Sequence, residues 1–174
     1  DRSRHLPCLR IPVLGTDGAI GKRTTALLLT DALRDSGISA TFVATGQTGL
    51  LQGSPYGVPL DAIKADFMVG ELESEIVRAY EETKPKVLVV EGQGSISHPA
   101  YVCGTRAIIS ASAPSVMLMM HAPARRTRSF RRDVVAWPMP TVDDEIRWLE
   151  FFARGAKVIG LGINHENMTR EEVE

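Results

Sequence analysis

Cysteine is nearly absent: Cys8 and Cys103 are the two thiols in 174 residues. They make neither a disulfide framework nor a metal-ligand pattern, so the sequence points to a reducing, cytoplasmic setting. Long apolar runs are missing as well. None approaches the roughly 20 residues that cross a bilayer, and no signal peptide is visible, so no membrane partner is expected. Nor does charge of one sign dominate. The 20 Lys and Arg face 21 Asp and Glu, and aromatic residues make up 6% of the chain. That balance argues against nucleic acid as a partner. No repeat or low-complexity linker divides the sequence. The remainder is the make-up of one soluble domain, residues 1–174, burying roughly 70% of its unfolded surface. The chain starts at Asp1 rather than methionine, and the expectation is a processed chain or part of a longer one.

Short apolar runs alternate with helical patterns, the mark of an α/β protein. Residues 9–14 read as the first strand, and 22–36 as a helix ended by Gly37. Residues 39–44 form a second strand, and the glycine-rich 46–59 a loop. A helix over 71–83 closes before Pro85. Residues 87–90, all Val and Leu, suit a buried parallel strand. The methionine-rich 116–120 is a further strand, 142–154 an amphipathic helix and 157–163 the last strand, and 168–174 begins a helix. The product is a mostly parallel sheet with helices on both faces, with ligands expected at the C-terminal strand ends.

The richest of those ends is Gly15-Thr16-Asp17-Gly18-Ala19-Ile20-Gly21-Lys22-Arg23-Thr24. A strand, a glycine-rich turn and a helix N-terminus in this order build a phosphate cradle, with loop amides, the helix dipole and Lys22 facing the anion. Two departures separate it from the usual nucleotide loop. Five residues rather than four separate Gly15 from Gly21, and Arg23 stands where a magnesium-binding hydroxyl is usual. Thr24 is one residue further, about 100° around the helix, and cannot simply replace it. The Arg23 guanidinium could contact phosphate directly, without a metal.

The other strand ends carry further candidates. Gln47 and Thr48, between two glycines, either donate to a ligand or form a plain turn. Glu91 ends a buried apolar strand, where a carboxylate is costly unless paired or metal-bound. It is either a magnesium or amine ligand or a structural partner of Lys22. Gln93 follows in the same glycine-rich turn. His98, in a loop on the same edge, is the best general-base candidate, or else a hydrogen-bonding surface residue. His121 is a weaker one. Arg125, Arg126, Arg128, Arg131 and Arg132 concentrate positive charge, either to grip a phosphate or dicarboxylate or as a solvated or domain-contacting face. The apolar runs, with Trp137 and Trp148, leave room for a homo-oligomer.

Gly15-Thr-Asp-Gly-Ala-Ile-Gly-Lys22 and Val89-Val-Glu-Gly-Gln-Gly94 resemble the dethiobiotin synthetase branch of P-loop proteins, which shares the five-residue gap and whose Val-Glu-Gly glutamate binds magnesium. Thr24-Thr-Ala, Phe42-Val-Ala-Thr-Gly-Gln-Thr-Gly49, Gly57-Val-Pro-Leu-Asp-Ala62, Asp66-Phe, Glu91-Gly-Gln-Gly-Ser95, His98-Pro-Ala-Tyr101 and residues 160–164 resemble a second family more closely. That family was long without a known function, was often mislabelled as NAD-dependent epimerases, and includes the D-glutamate N-acetyltransferases. The similarity runs from about Ile11 to Asn164.

It implies a three-layer, P-loop NTPase-like fold and acetyl-CoA-dependent transfer to the α-amine of an acidic D-amino acid. The loop would then hold the pyrophosphate of CoA through Lys22, Arg23 and its amides, with no metal. His98 or Glu91 would deprotonate the amine, amides of residues 92–94 would stabilise the oxyanion, and Arg106 or Arg125 would hold a substrate carboxylate. Relatives commonly carry cysteine where this chain has Gly18, so thiol chemistry there is not expected. They also carry an N-terminal Rossmann-like domain that these 174 residues do not include. Two other readings stay open: a ligase or kinase using ATP with Mg2+ on Glu91, and a non-catalytic nucleotide- or CoA-binding module.

Overall fold

In a computed structural model, which describes residues 1–128 and 136–173, the chain forms a five-stranded parallel sheet. The strands are β1 (Leu9–Gly15), β2 (Ala40–Val43), β3 (Val87–Glu91), β4 (Val116–His121) and β5 (Lys157–Ile163), in the spatial order β2-β3-β1-β4-β5. Their two-residue side-chain period splits the core into two apolar clusters. Leu88 and Val90 of β3 join Leu14, Met117 and Met119 in one cluster, while Val87 and Val89 join Val13 and Met120 in the other.

Helix α1 (Lys22–Asp35) covers the second cluster through Ala26 and Leu29. The first is covered by α3 (Ala65–Thr83), α4 (Gly104–Ser112) and α5 (Val142–Phe152), through Leu72, Ile76, Ile108 and Leu149. Both faces are thus closed over the central β1 and β3. A burial this complete demands continuous apolar strands, and all five residues of β3 are buried. Among the described residues, no helix is long and apolar enough to cross a membrane.

The elements depart from expectation in five places, two of them the single 3-10 turns Ser3–His5 and Leu60–Ala62. Residues 46–59 contain a short helix, α2 (Gln47–Leu51), where a loop was expected. Helix α3 starts at Ala65 rather than at residue 71, running through Gly70 despite the low helix propensity of glycine. Helix α4 lies in a stretch where no element was expected, its start masked by the Ser-, Gly- and Pro-rich run before it. The remaining boundaries agree within two residues, including Gly37 at φ 77° after α1. The closing helix α6 (Arg170–Val173) is a single turn.

Candidate phosphate-binding site

Because β1, β3 and β2 are neighbours, their C-terminal ends place three loops side by side. The loop after β1 turns sharply. Ala19 and Gly21 both hold left-handed backbone, at φ 51° and 97°, and Gly21 immediately precedes α1. Close approach rules out side chains nearby. A Cβ on Gly92 would lie 2.1 Å from the Val13 carbonyl oxygen, and one on Gly15 would lie 2.8 Å from Ile20 Cδ1.

These loops line a cleft of about 1020 Å³ formed by residues 18–24, 46–48, 91–94 and 100–104 together with Leu60, Asp61 and Met68. Gly18, Ala19, Ile20, Gly21, Lys22, Arg23 and Thr24 all border it, as do Gln47, Thr48, Glu91 and Gln93. Gly15, Thr16 and Asp17 are buried and do not border it. Thr16 donates its amide to the Met120 carbonyl (3.0 Å), and its hydroxyl meets His121 Nδ1 (3.0 Å). His121 therefore serves the loop rather than the cleft, and burial lowers its pKa.

Lys22 is buried, and its Nζ donates to the Asp17 carbonyl oxygen at 2.5 Å. Burial pulls its pKa down to about 8, with the Asp17 carboxylate opposing that fall. Glu91 Oε2 accepts the amides of Thr45 (2.9 Å) and Gly46 (3.1 Å), tying the end of β3 to the loop after β2. Its ion-pair neighbour among the described residues is Arg23, with Nη1 4.0 Å from Oε1, and not Lys22.

His98 is buried and does not border the cleft. Its Nδ1 accepts the amides of Ala100 (3.1 Å) and Tyr101 (3.2 Å), which assigns the ring proton to Nε2, 3.7 Å from Asp17 Oδ1. Burial, aided by Arg128, lowers its pKa and keeps the ring neutral. The loop it organises carries Tyr101, which does reach the cleft. A base needs a lone pair facing substrate, and the geometry instead fits His98 to loop positioning.

The arginine-rich segment turns inward. Arg125 donates from Nη1 to Asp17 Oδ2 (2.9 Å) and the Gly18 carbonyl (2.7 Å), from Nη2 to the Ala19 carbonyl (3.2 Å), and pairs with Glu166. Its guanidinium braces the phosphate loop from behind instead of opening into the cleft. Arg128, also buried, donates to the Thr16 carbonyl and to the Ser95 and Ser97 hydroxyls, and Ser97 in turn donates to the buried Glu145. Arg131 and Arg132 lie outside the described residues. Arg106 sits apart from the cleft, its guanidinium 3.7 Å from the centroid of the Phe152 ring.

Several neighbours of the site escape the sequence pattern. Tyr101, Cys103, Leu60 and Met68 line the cleft through chain segments remote from the glycine loop. Glu145 is the one with a signal. It lies four residues before the buried Leu149 on an amphipathic helix, so its carboxylate falls on the inner face.

A glycine loop at the end of a central parallel strand, closed by a buried lysine at a helix N-terminus, defines a P-loop domain. The family model described as "Domain of unknown function (DUF1611_C) P-loop domain" matches residues 1–174, and the chain belongs to this DUF1611 family. A D-glutamate N-acetyltransferase of Tritonibacter scottomollicae is 32% identical over 175 residues, covering 98% of this chain and 50% of the relative. One of a Pseudoalteromonas species is 33% identical over 168 residues, covering 94% and 48%. The crystal structure of a DUF1611 family protein from Anabaena variabilis superposes with a TM-score of 0.86 at 34% identity, over 98% of this chain and 49% of that one. The chain thus spans about half the length of the relatives it matches.

Proposed function

We propose that the cleft holds the diphosphate of acetyl-CoA and serves transfer of the acetyl group to the α-amine of an acidic D-amino acid such as D-glutamate. The observation that carries this reading is Arg23, a fixed cation on the cleft wall beside Glu91 where a metal-dependent loop would place a hydroxyl. A held, uncleaved diphosphate suits that arrangement. The D-glutamate N-acetyltransferase names of two relatives, matched over nearly the whole chain, support the choice of reaction.

In this reading Lys22, Arg23 and the amides of residues 18–22 bind the diphosphate, and Gln47, Thr48 and Gln93 line the space beyond it. The substrate ammonium is drawn to Glu91, the carboxylate at the end of β3, which takes its proton. The amine nitrogen then attacks the thioester carbonyl, with the amides of residues 92–94 available to the developing oxyanion. The C–N bond forms, the C–S bond breaks, and the second proton lost by the nitrogen neutralises the departing CoA thiolate. Since the chain spans about half of those relatives, segments beyond it would complete the amino-acid pocket.

Thiol release from acetyl-CoA tests this directly. Free CoA should appear on adding D-glutamate, more slowly with L-glutamate, and without any nucleotide. Magnesium-dependent ATP consumption with acetyl-CoA left intact would instead establish the ligase or kinase reading. Tight acetyl-CoA binding without turnover, also when the chain stands in its full-length protein, would reduce it to a binding module.

A further inference from the structure

Metal-dependent P-loops bind magnesium through the hydroxyl after the lysine, helped by an acidic strand end. Here both positions are otherwise engaged. Arg23 replaces the hydroxyl, and its Nη1 lies 4.0 Å from Glu91 Oε1. Glu91 Oε2 is committed to the Thr45 and Gly46 amides. A divalent cation beside Glu91 would meet a guanidinium and find one half-engaged carboxylate, so the residues present do not fit magnesium.

We propose that Arg23, braced by Glu91, is the resident counter-ion of the cleft and makes it select metal-free diphosphate esters over magnesium-chelated nucleotides. The inference rests on reading the loop as a diphosphate cradle and names the residue that sets its ligand specificity. A guanidinium carries five N–H donors in a planar fork. With Nη1 4.0 Å from Glu91, the fork keeps donors for phosphate oxygens, and the Arg23 side chain, which borders the cleft, is 35% exposed. Together with Lys22 it sets two positive charges against the phosphates. Chelation by magnesium lowers the negative charge of the ligand and interposes tightly held waters where the fork must dock. The resident arginine therefore favours the bare diester over the chelate.

Calorimetric titration of CoA and, separately, ADP in excess EDTA and in excess magnesium tests this on the purified protein. The wild type should bind at least as tightly in EDTA as in magnesium. Arg23→Thr should lose about tenfold or more in EDTA, the worth of a charge-assisted hydrogen bond, and should regain affinity when magnesium is added. Arg23→Lys, which keeps the charge, should remain indifferent to magnesium. Wild-type binding that requires magnesium overturns the inference, as does wild-type affinity for Arg23→Thr in EDTA, or no binding of either ligand. Metal-free ADP binding without any response to CoA would sink the acetyl-CoA reading and leave the counter-ion role of Arg23 standing. If Arg23→Thr fails to fold, the wild-type comparison of EDTA with magnesium decides alone.

Discussion

Lys22 concentrates the chemistry of the cleft in one side chain, because a buried ammonium has few ways to recover the hydration it loses. With its pKa near 8, it stays mostly protonated at neutrality while sitting ready for an anion. Phosphate-ligand affinity should fall as pH rises through about 8, measurable as a pH series of dissociation constants. The ligand-free protein should respond in the opposite direction. Between about 8 and the ordinary lysine value of 10.5, the unfolded chain binds more protons than the native one, so stability gains with pH across that window. Lys22→Ala should cost about 1.5–3 kcal/mol of ligand binding, or roughly 10- to 150-fold in Kd. An unchanged Kd would mean that the anion sits elsewhere. Gly92 makes a separate demand of pure space. Gly92→Ala would drive a Cβ against the Val13 carbonyl, and a loss of at least about 1–3 kcal/mol is expected in urea titration.

Among the elements, α3 shows what a sequence hides and why. Its segment 65–70 was not legible because Gly70 interrupts the helical pattern. Gly70 is exposed, and a Cβ there would meet nothing within 4 Å. Gly70→Ala should therefore stabilise the protein by about 0.5–1 kcal/mol, raising Tm by roughly 1–4 °C for a chain of this size. By contrast, β1, β3 and α1 were legible, since their apolar continuity and helix N-terminus are local properties of the chain. The phosphate loop was legible for the same reason, as glycine spacing and a following lysine are local too. The support behind that loop was not. His98, Arg125 and Arg128 read as candidate ligands or surface charge, yet the contacts that turn them inward come from Asp17, Thr16, Ser95 and Ser97, far off in sequence. Helix α5 is the anchor of this support, presenting buried Glu145 to Ser97 and the amide of Ile96. Arg128→Ala should leave the buried Thr16 carbonyl and the Ser95 and Ser97 hydroxyls without their shared donor and cost about 1–3 kcal/mol, read by chemical denaturation.

Across the whole molecule, the strand order decides where chemistry can occur. With β1 between β3 and β4, and β2 beyond β3, the loops after β1, β2 and β3 converge on one cleft, while the side chains of Arg125 and His98 turn away from it. The fold thus lines one cleft with the cations Lys22 and Arg23 and with the polar Gln47 and Gln93. The apolar clusters on both faces hold the sheet that carries all of them. In the proposed reading, Lys22 and Arg23 take the diphosphate, and the rest of the cleft is left for the thioester and its acceptor. The most direct test is the ratio of affinities for acetyl-CoA and acetylpantetheine, which share the thioester and differ in the diphosphate-bearing nucleotide. The cradle predicts that acetyl-CoA binds about a hundredfold or more tightly, the worth of two charge-assisted contacts, and that Lys22→Ala cuts the difference by about tenfold or more. Equal affinity for the two thioesters, with Lys22→Ala affecting neither, would contradict it.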